Sequence, residues 1–257
     1  MSFADHSAQA YSLQQIQIVA YVDVCSIALV FYDYFSTFPG EIRFVWSSGW
    51  SIVNVFFVIS RYGALCEGVL ILIMYGYAHP SDSTCVALSR AIDGGQFVCV
   101  TAAEFILVFR TWALWERNKR IAMGLAALVT VLLAVVATYA TKFEASVQVT
   151  LPNPDNPAAF SRCIQSGGGG TISITYACVA ILETVVLVLT LIKAPWRFVL
   201  LKSHLIRVLY RDGILYYIYS IFNVVTVLSA PPGISHVLLV SVVFAALLFS
   251  RSQTLMI

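Results

Sequence analysis

Charge is scarce in this sequence. Only 11% of its 257 residues are Asp, Glu, Lys or Arg, against about 25% in a soluble globular chain. At the same time 60% of its side chains are apolar. A water-soluble domain of this length is excluded, because its core has no room for so much apolar side chain. A polar stretch of domain length is absent too, so one membrane domain over residues 1–257 is the expected organisation. The net charge of +2 says little beside the distribution of the positives, and no nucleic-acid partner is expected.

Motifs are scarce as well. The cysteines Cys25, Cys66, Cys85, Cys99, Cys163 and Cys178 show no CxxC or Cys/His ligand spacing, which argues against a zinc or redox centre. The histidines His6, His79, His204 and His236 are scattered, so no metal site is expected. HExxH, GxSxG and a phosphate-binding GK[ST] are all missing. The run Gly167 to Gly170 reads as a hinge rather than a phosphate cradle, and no lysine in the last apolar run could hold retinal. No enzyme and no cofactor are expected. There is no glycosylation sequon, no lipidation signal, and no basic segment ahead of the first apolar run that would mark a cleavable signal peptide. Strict apolar/polar alternation is lacking, which excludes a transmembrane barrel and leaves helices as the spanning element.

What is abundant is long apolar runs. A membrane helix needs about 20 such residues. Seven segments qualify, at 16–38, 53–78, 94–114, 121–140, 171–192, 212–230 and 234–250. The expected fold is therefore an all-α, polytopic bundle of seven transmembrane helices. Basic residues set its orientation. With the N-terminus outside, eleven fall on the inside: Arg43, Arg110, Arg117, Lys119, Arg120, Lys193, Arg197, Lys202, Arg207, Arg211 and Arg251. Only Arg90, Lys142 and Arg162 fall outside. All five tryptophans, Trp46, Trp50, Trp112, Trp115 and Trp196, land at the inner interface, where amphipathic rings prefer to sit. Both signals place the N-terminus outside and the C-terminus in the cytoplasm, in a plasma or secretory-pathway membrane.

The inner boundary has its own chemistry. Arg110, Trp112, Trp115, Arg117, Lys119 and Arg120 close the third span. The connector 195–211 is a basic amphipathic segment in which Arg197, His204 and Arg211 recur every seven residues, with Arg207 beside them. These positives suit anionic lipid head groups or a cytosolic protein partner.

Charges at membrane depth cost roughly 2.5–3.5 kcal/mol each on insertion scales, so each invites a functional reading. Asp33 and Arg61 lie at similar depth on consecutive antiparallel spans, which predicts an ion pair that fixes helix register. Glu67, Glu104 and Glu183 each fall near the middle of their expected spans, with Asn223 near that level. Three carboxyls at one level would suit a cation, a proton relay or a cationic ligand; equally, protonated, they would only bond their neighbours. Cys85 and Cys163, both expected outside, either form a disulfide or remain two free thiols.

Tyr32-Asp33-Tyr34, Glu41-Ile42, Trp46 and Arg61-Tyr62 form a pattern over residues 20–75, followed by Arg110-Thr111-Trp112-Ala113-Leu114-Trp115 with Arg117-Asn118. In these blocks the sequence resembles a family of multi-pass membrane proteins common in mushroom-forming fungi, defined by an N-terminal domain of unknown function. The resemblance implies a seven-helix fold and supports Asp33 and Arg61 as a signature pair, but implies no activity. A proline expected soon after Arg61-Tyr62 is replaced by Gly63-Ala64-Leu65. Three functions fit these observations: a receptor-like sensing protein, a transporter or proton/cation pathway through the carboxylates, and a structural membrane protein.

Overall fold

The computed structural model describes residues 3–47, 49–76, 82–146, 148–150, 164–166 and 169–201. Five long helices make up nearly all of it: α1 (Phe3–Glu41), α2 (Ile52–Gly76), α3 (Asp82–Leu114), α4 (Lys119–Ser146) and α5 (Gly169–Leu201). Two three-residue strands, β1 (Gln148–Thr150) and β2 (Ile164–Ser166), pair antiparallel between α4 and α5, with Val149 opposite Gln165. The expected spans at 212–230 and 234–250 lie outside the described residues, as do Arg207, Arg211, Asn223 and Cys163.

Four of the helices, α2 to α5, contain segments long and apolar enough to cross a membrane. The chain is an integral membrane protein of helical build. Its burial pattern is that of a bundle in lipid. Val55, Leu72, Val98, Met123, Val131, Ile181 and Val188 face outward, while Asp23, Glu41, Glu67, Glu104 and Glu183 are buried. Water would drive the opposite sorting.

Four elements depart from the expected boundaries; α4 runs past 140 to Ser146, and α1 begins at Phe3 rather than 16. α3 begins at Asp82 rather than 94. At 1.5 Å per residue its 33 residues reach about 50 Å, beyond the ~30 Å hydrocarbon layer, so one end projects from the bilayer. α5 runs on to Leu201, so the connector expected from Lys193 starts as more of the same helix, with Arg197 on it. α1 continues to Glu41 and carries Pro39 in its last turn. Proline removes one intrahelical bond there, and the chain then widens into a π-helical turn over Ile42–Trp46.

Packing is antiparallel from α1 to α2 and from α2 to α3. Gly68 of α2 lets Ile27 of α1 approach: an added Cβ would sit 3.3 Å from its Cγ2. Gly63 does the same for α3, since a Cβ there would overlap Cys99 Sγ. α2 is unbroken through Gly63-Ala64-Leu65, where close contact stands in place of the expected proline. One apolar cluster joins Val45, Phe57, Ile106, Leu107, Leu125, Leu182 and Val186, bringing α2, α3, α4 and α5 together. A second, of Ile27, Ile71, Met74, Cys85 and Ile92, packs α1, α2 and the far end of α3.

Candidate functional site: a caged arginine between α1 and α2

Asp33, Thr37 and Glu41 recur every four residues, so they line one face of α1. α2 presents Arg61 and Tyr62 to that face. The Arg61 Nη1 lies 3.4 Å from Asp33 Oδ2, its Nε contacts Glu41 Oε1, and its Nη2 donates to the Thr37 hydroxyl. Thr37 in turn donates to the Asp33 carbonyl at 2.7 Å. The Tyr62 hydroxyl donates to the second Glu41 oxygen at 3.2 Å. Two rings complete the cage, with the guanidinium 5.6 Å from the Tyr34 centroid and 5.9 Å from that of Phe57, within cation–π range. Side-chain exposure is 8% for Arg61, 15% for Asp33 and 0% for Glu41.

The cage therefore sets two carboxyls against one guanidinium. Burial holds the Glu41 carboxyl above its ordinary range, against the lowering pull of Arg61 and the Tyr62 hydroxyl. In the sequence Glu41 and Tyr62 figure only as members of the family pattern, with Glu41 in an expected loop, and Thr37 carries no signal of its own. The four-residue spacing from Asp33 was the available signal. Further along the same seam the Tyr75 hydroxyl donates to buried Asp23, a second polar fastening of α1 to α2.

The three midspan glutamates are all buried, but helix register separates them. Phe56 stacks on Phe105 with centroids 5.0 Å apart, and the Cys99 thiol donates to the Ile59 carbonyl at 3.8 Å. Continuing that antiparallel register sets Glu67 opposite the stretch around Gly94. Glu104 lies about ten residues further along, roughly 15 Å away at 1.5 Å per residue. On the other side of α3, Gln96 Nε2 donates to the Tyr176 hydroxyl at 3.5 Å, and Trp115 Nε1 donates to the Leu189 carbonyl at 3.2 Å. These two bonds bracket Glu104 and put it near the level of Glu183. The single level read from the sequence thus becomes two, Glu67 at one and Glu104 with Glu183 at the other.

The basic-aromatic stretch forms the turn from α3 into α4. Glu116 and Arg117 take left-handed conformations, at φ 56° and 59°. The Arg117 N–H donates to the Trp112 carbonyl, and Asn118 Oδ1 accepts from the Arg120 N–H at 2.9 Å to cap α4. Arg117, Lys119 and Arg120 are exposed, while Arg110, Trp112 and Trp115 are half-buried. Lys193 reaches from α5 to within 3.9 Å of Glu116 and 5.4 Å of the Trp115 ring. Cys85 is buried and disulfide-bonded; its expected partner, Cys163, is outside the described residues. Cys25, Cys66, Cys99 and Cys178 are free.

No curated protein sequence and no solved structure matches this chain. Residues 21–66 match a family of unknown function (DUF6533), and that stretch contains every member of the Arg61 cage.

Proposed function

We propose that this protein is a receptor-like membrane sensor of seven helices, N-terminus outside and C-terminus in the cytoplasm, in the plasma membrane or a secretory-pathway membrane. It performs no catalysis in this reading. Its exposed inner positives, Arg117, Lys119 and Arg120, with Arg197 on α5, engage a cytosolic protein partner.

The observation that carries the proposal is the fastening of α3 to α5. One hydrogen bond from Trp115 and one solvent-exposed ion pair from Lys193 join the two helices beside the basic turn. Exposed ion pairs contribute about 0–1 kcal/mol and a single hydrogen bond about 1 kcal/mol. A ligand that shifts α3 against α5 at the level of Glu104 and Glu183 would act on these links, on the Gln96–Tyr176 hydrogen bond and on the packing of Ile106 and Leu107 with Leu182 and Val186. The polar cage on α1 and α2 keeps the other side of the bundle fixed meanwhile.

Cysteine accessibility in sealed, oriented vesicles tests the topology. Lys119→Cys should react only with inside reagent and Arg90→Cys only with outside reagent. Labelling of both from one side, or the reverse pattern, removes the reading. Proton or cation flux in reconstituted vesicles that disappears in Glu104→Gln would favour the transporter instead.

A further inference from the structure

α1 and α2 meet along one antiparallel seam. Asp33 meets Arg61, Ile27 meets Gly68, and Asp23 meets Tyr75. The two polar contacts are separated on α2 by the stretch from Arg61 to Tyr75, about 21 Å of helix at 1.5 Å per residue. They differ in kind. At the cage end a permanently charged guanidinium faces two carboxyls. At the far end a lone carboxyl is closed in. Asp23 is 1% exposed. The Tyr75 hydroxyl donates to its Oδ2, while Oδ1, equally shielded, has no hydrogen-bond partner among the described residues. One turn from Asp23 is Ile27, and one turn from Tyr75 is Ile71, both in the apolar cluster that also holds Met74 and Cys85.

The titratable groups around this end are few. On α1, Tyr21 and Cys25 flank Asp23 but are exposed. On α2, Glu67 lies two turns before Tyr75, about 12 Å along the helix. α3 packs here through Cys85, which is disulfide-bonded and does not titrate, and through Ile92, whose charged neighbours are Asp93 and the exposed Arg90. Among the described residues none of these charges acts on Asp23, and its one titratable partner is the Tyr75 hydroxyl.

We propose that Asp23 is a proton-binding site, and that its proton closes the end of the α1–α2 seam opposite the Arg61 cage. A carboxylate here brings a full charge into hydrocarbon with one oxygen bonded, one bare and no counter-ion. A proton on Oδ1 removes the charge and leaves the Tyr75 bond to Oδ2 in place. Loss of that proton puts a charge among Ile27, Ile71 and Met74, and α1 parts from α2 at this end while the cage holds the other. The seam thereby responds to proton concentration at a point that the sensor reading does not use.

The test uses the full chain in lipid nanodiscs. Infrared difference spectra between a lower and a higher pH should show a neutral-carboxyl band in the wild type that disappears as pH rises, and Asp23→Asn should lack that component. Tyr75→Phe keeps the ring and removes the hydroxyl that favours the ionised form, so the same step should move to higher pH. Thermal unfolding followed by tryptophan fluorescence reads the seam. The wild-type midpoint should fall relative to that of Asp23→Asn as pH rises, because the unfolded chain gives up this proton first. Exposed Glu116→Gln should follow the wild type. Identical carboxyl difference spectra for wild type and Asp23→Asn overturn the proposal, and so does a midpoint difference between them that is flat with pH. Should Asp23→Asn not fold, Tyr75→Phe decides, since carboxyl steps all unmoved from the wild type also overturn it.

Discussion

Removing the Arg61 charge should damage the protein more than removing either carboxyl that it contacts. Arg61→Met keeps the stem length and deletes the guanidinium. Asp33 and Glu41 then lose their shared counter-charge, and Glu41 has no exposure to water through which to recover hydration. Breaking a buried pair from one side costs about 3–5 kcal/mol, a large share of a total stability of about 5–15 kcal/mol. Glu41→Gln is a milder change. The glutamine oxygen still accepts from Arg61 or Tyr62, and Asp33 remains 3.4 Å from Nη1 as the counter-ion. We expect a loss of about 1–2 kcal/mol, the scale of one weakened charge-assisted hydrogen bond. Asp33→Asn should fall in the same range, because Asp33 is the more exposed partner and the more distant one.

The double variant Asp33→Asn/Glu41→Gln removes both carboxylate charges that Arg61 contacts among the described residues, while Thr37 and the two rings remain. It should approach the loss seen in Arg61→Met. Adding Arg61→Met to that pair should then recover part of the loss, because no lone charge remains. Folded yield by fluorescence-detected gel filtration ranks the variants, and reversible unfolding in mixed micelles gives the free energies. The reasoning fails if Arg61→Met is no worse than Glu41→Gln. It also fails if the triple variant loses the simple sum of its parts.

Three further substitutions probe the seams between helices. Gly63→Ala should destabilise by about 1–3 kcal/mol through overpacking, and Cys99→Ala in the same chain should restore most of the loss in a thermal melt, because the added Cβ meets Cys99 Sγ. Glu116→Gly should be neutral or stabilising by up to about 1 kcal/mol, because glycine accepts a left-handed conformation that other residues pay for, whereas Glu116→Val should lower the melting midpoint. Trp115→Phe should cost about 1 kcal/mol by removing the additional hydrogen bond to the Leu189 carbonyl. The readout for Trp115→Phe is a wider distance between spin labels on the ends of α3 and α5.

The sequence made the membrane class and most of the helices legible, and it also pointed to Asp33 and Arg61, for a common reason. Each rests on a count or a spacing that hydrophobicity enforces: a run of apolar residues must be long enough to span, and a charge inside it stands out. What hydropathy does not register is a helix that continues beyond the lipid. Asp82, Ser83, Thr84, Ser89, Arg90 and Asp93 lower the apolar content at the start of α3, so the expected span began at 94, yet the backbone is helical from Asp82. That difference moves the centre of the helix from residue 104 to residue 98, about 9 Å at 1.5 Å per residue. Glu104 looked central only because the first twelve residues of α3 were missing from the measure. Glu41 was obscured in the same way, since Pro39-Gly40 reads as a break while α1 holds for one more residue and delivers Glu41 to Arg61. Polar residues of a membrane helix are therefore better located from the side chains they meet across a seam than from distances to predicted ends. Applied here, that rule sets Glu67 apart from Glu104 and groups Glu104 with Glu183. Substitutions at Glu67 and Glu104 should then be additive in a double-mutant cycle, and a coupling between them would place both at one site.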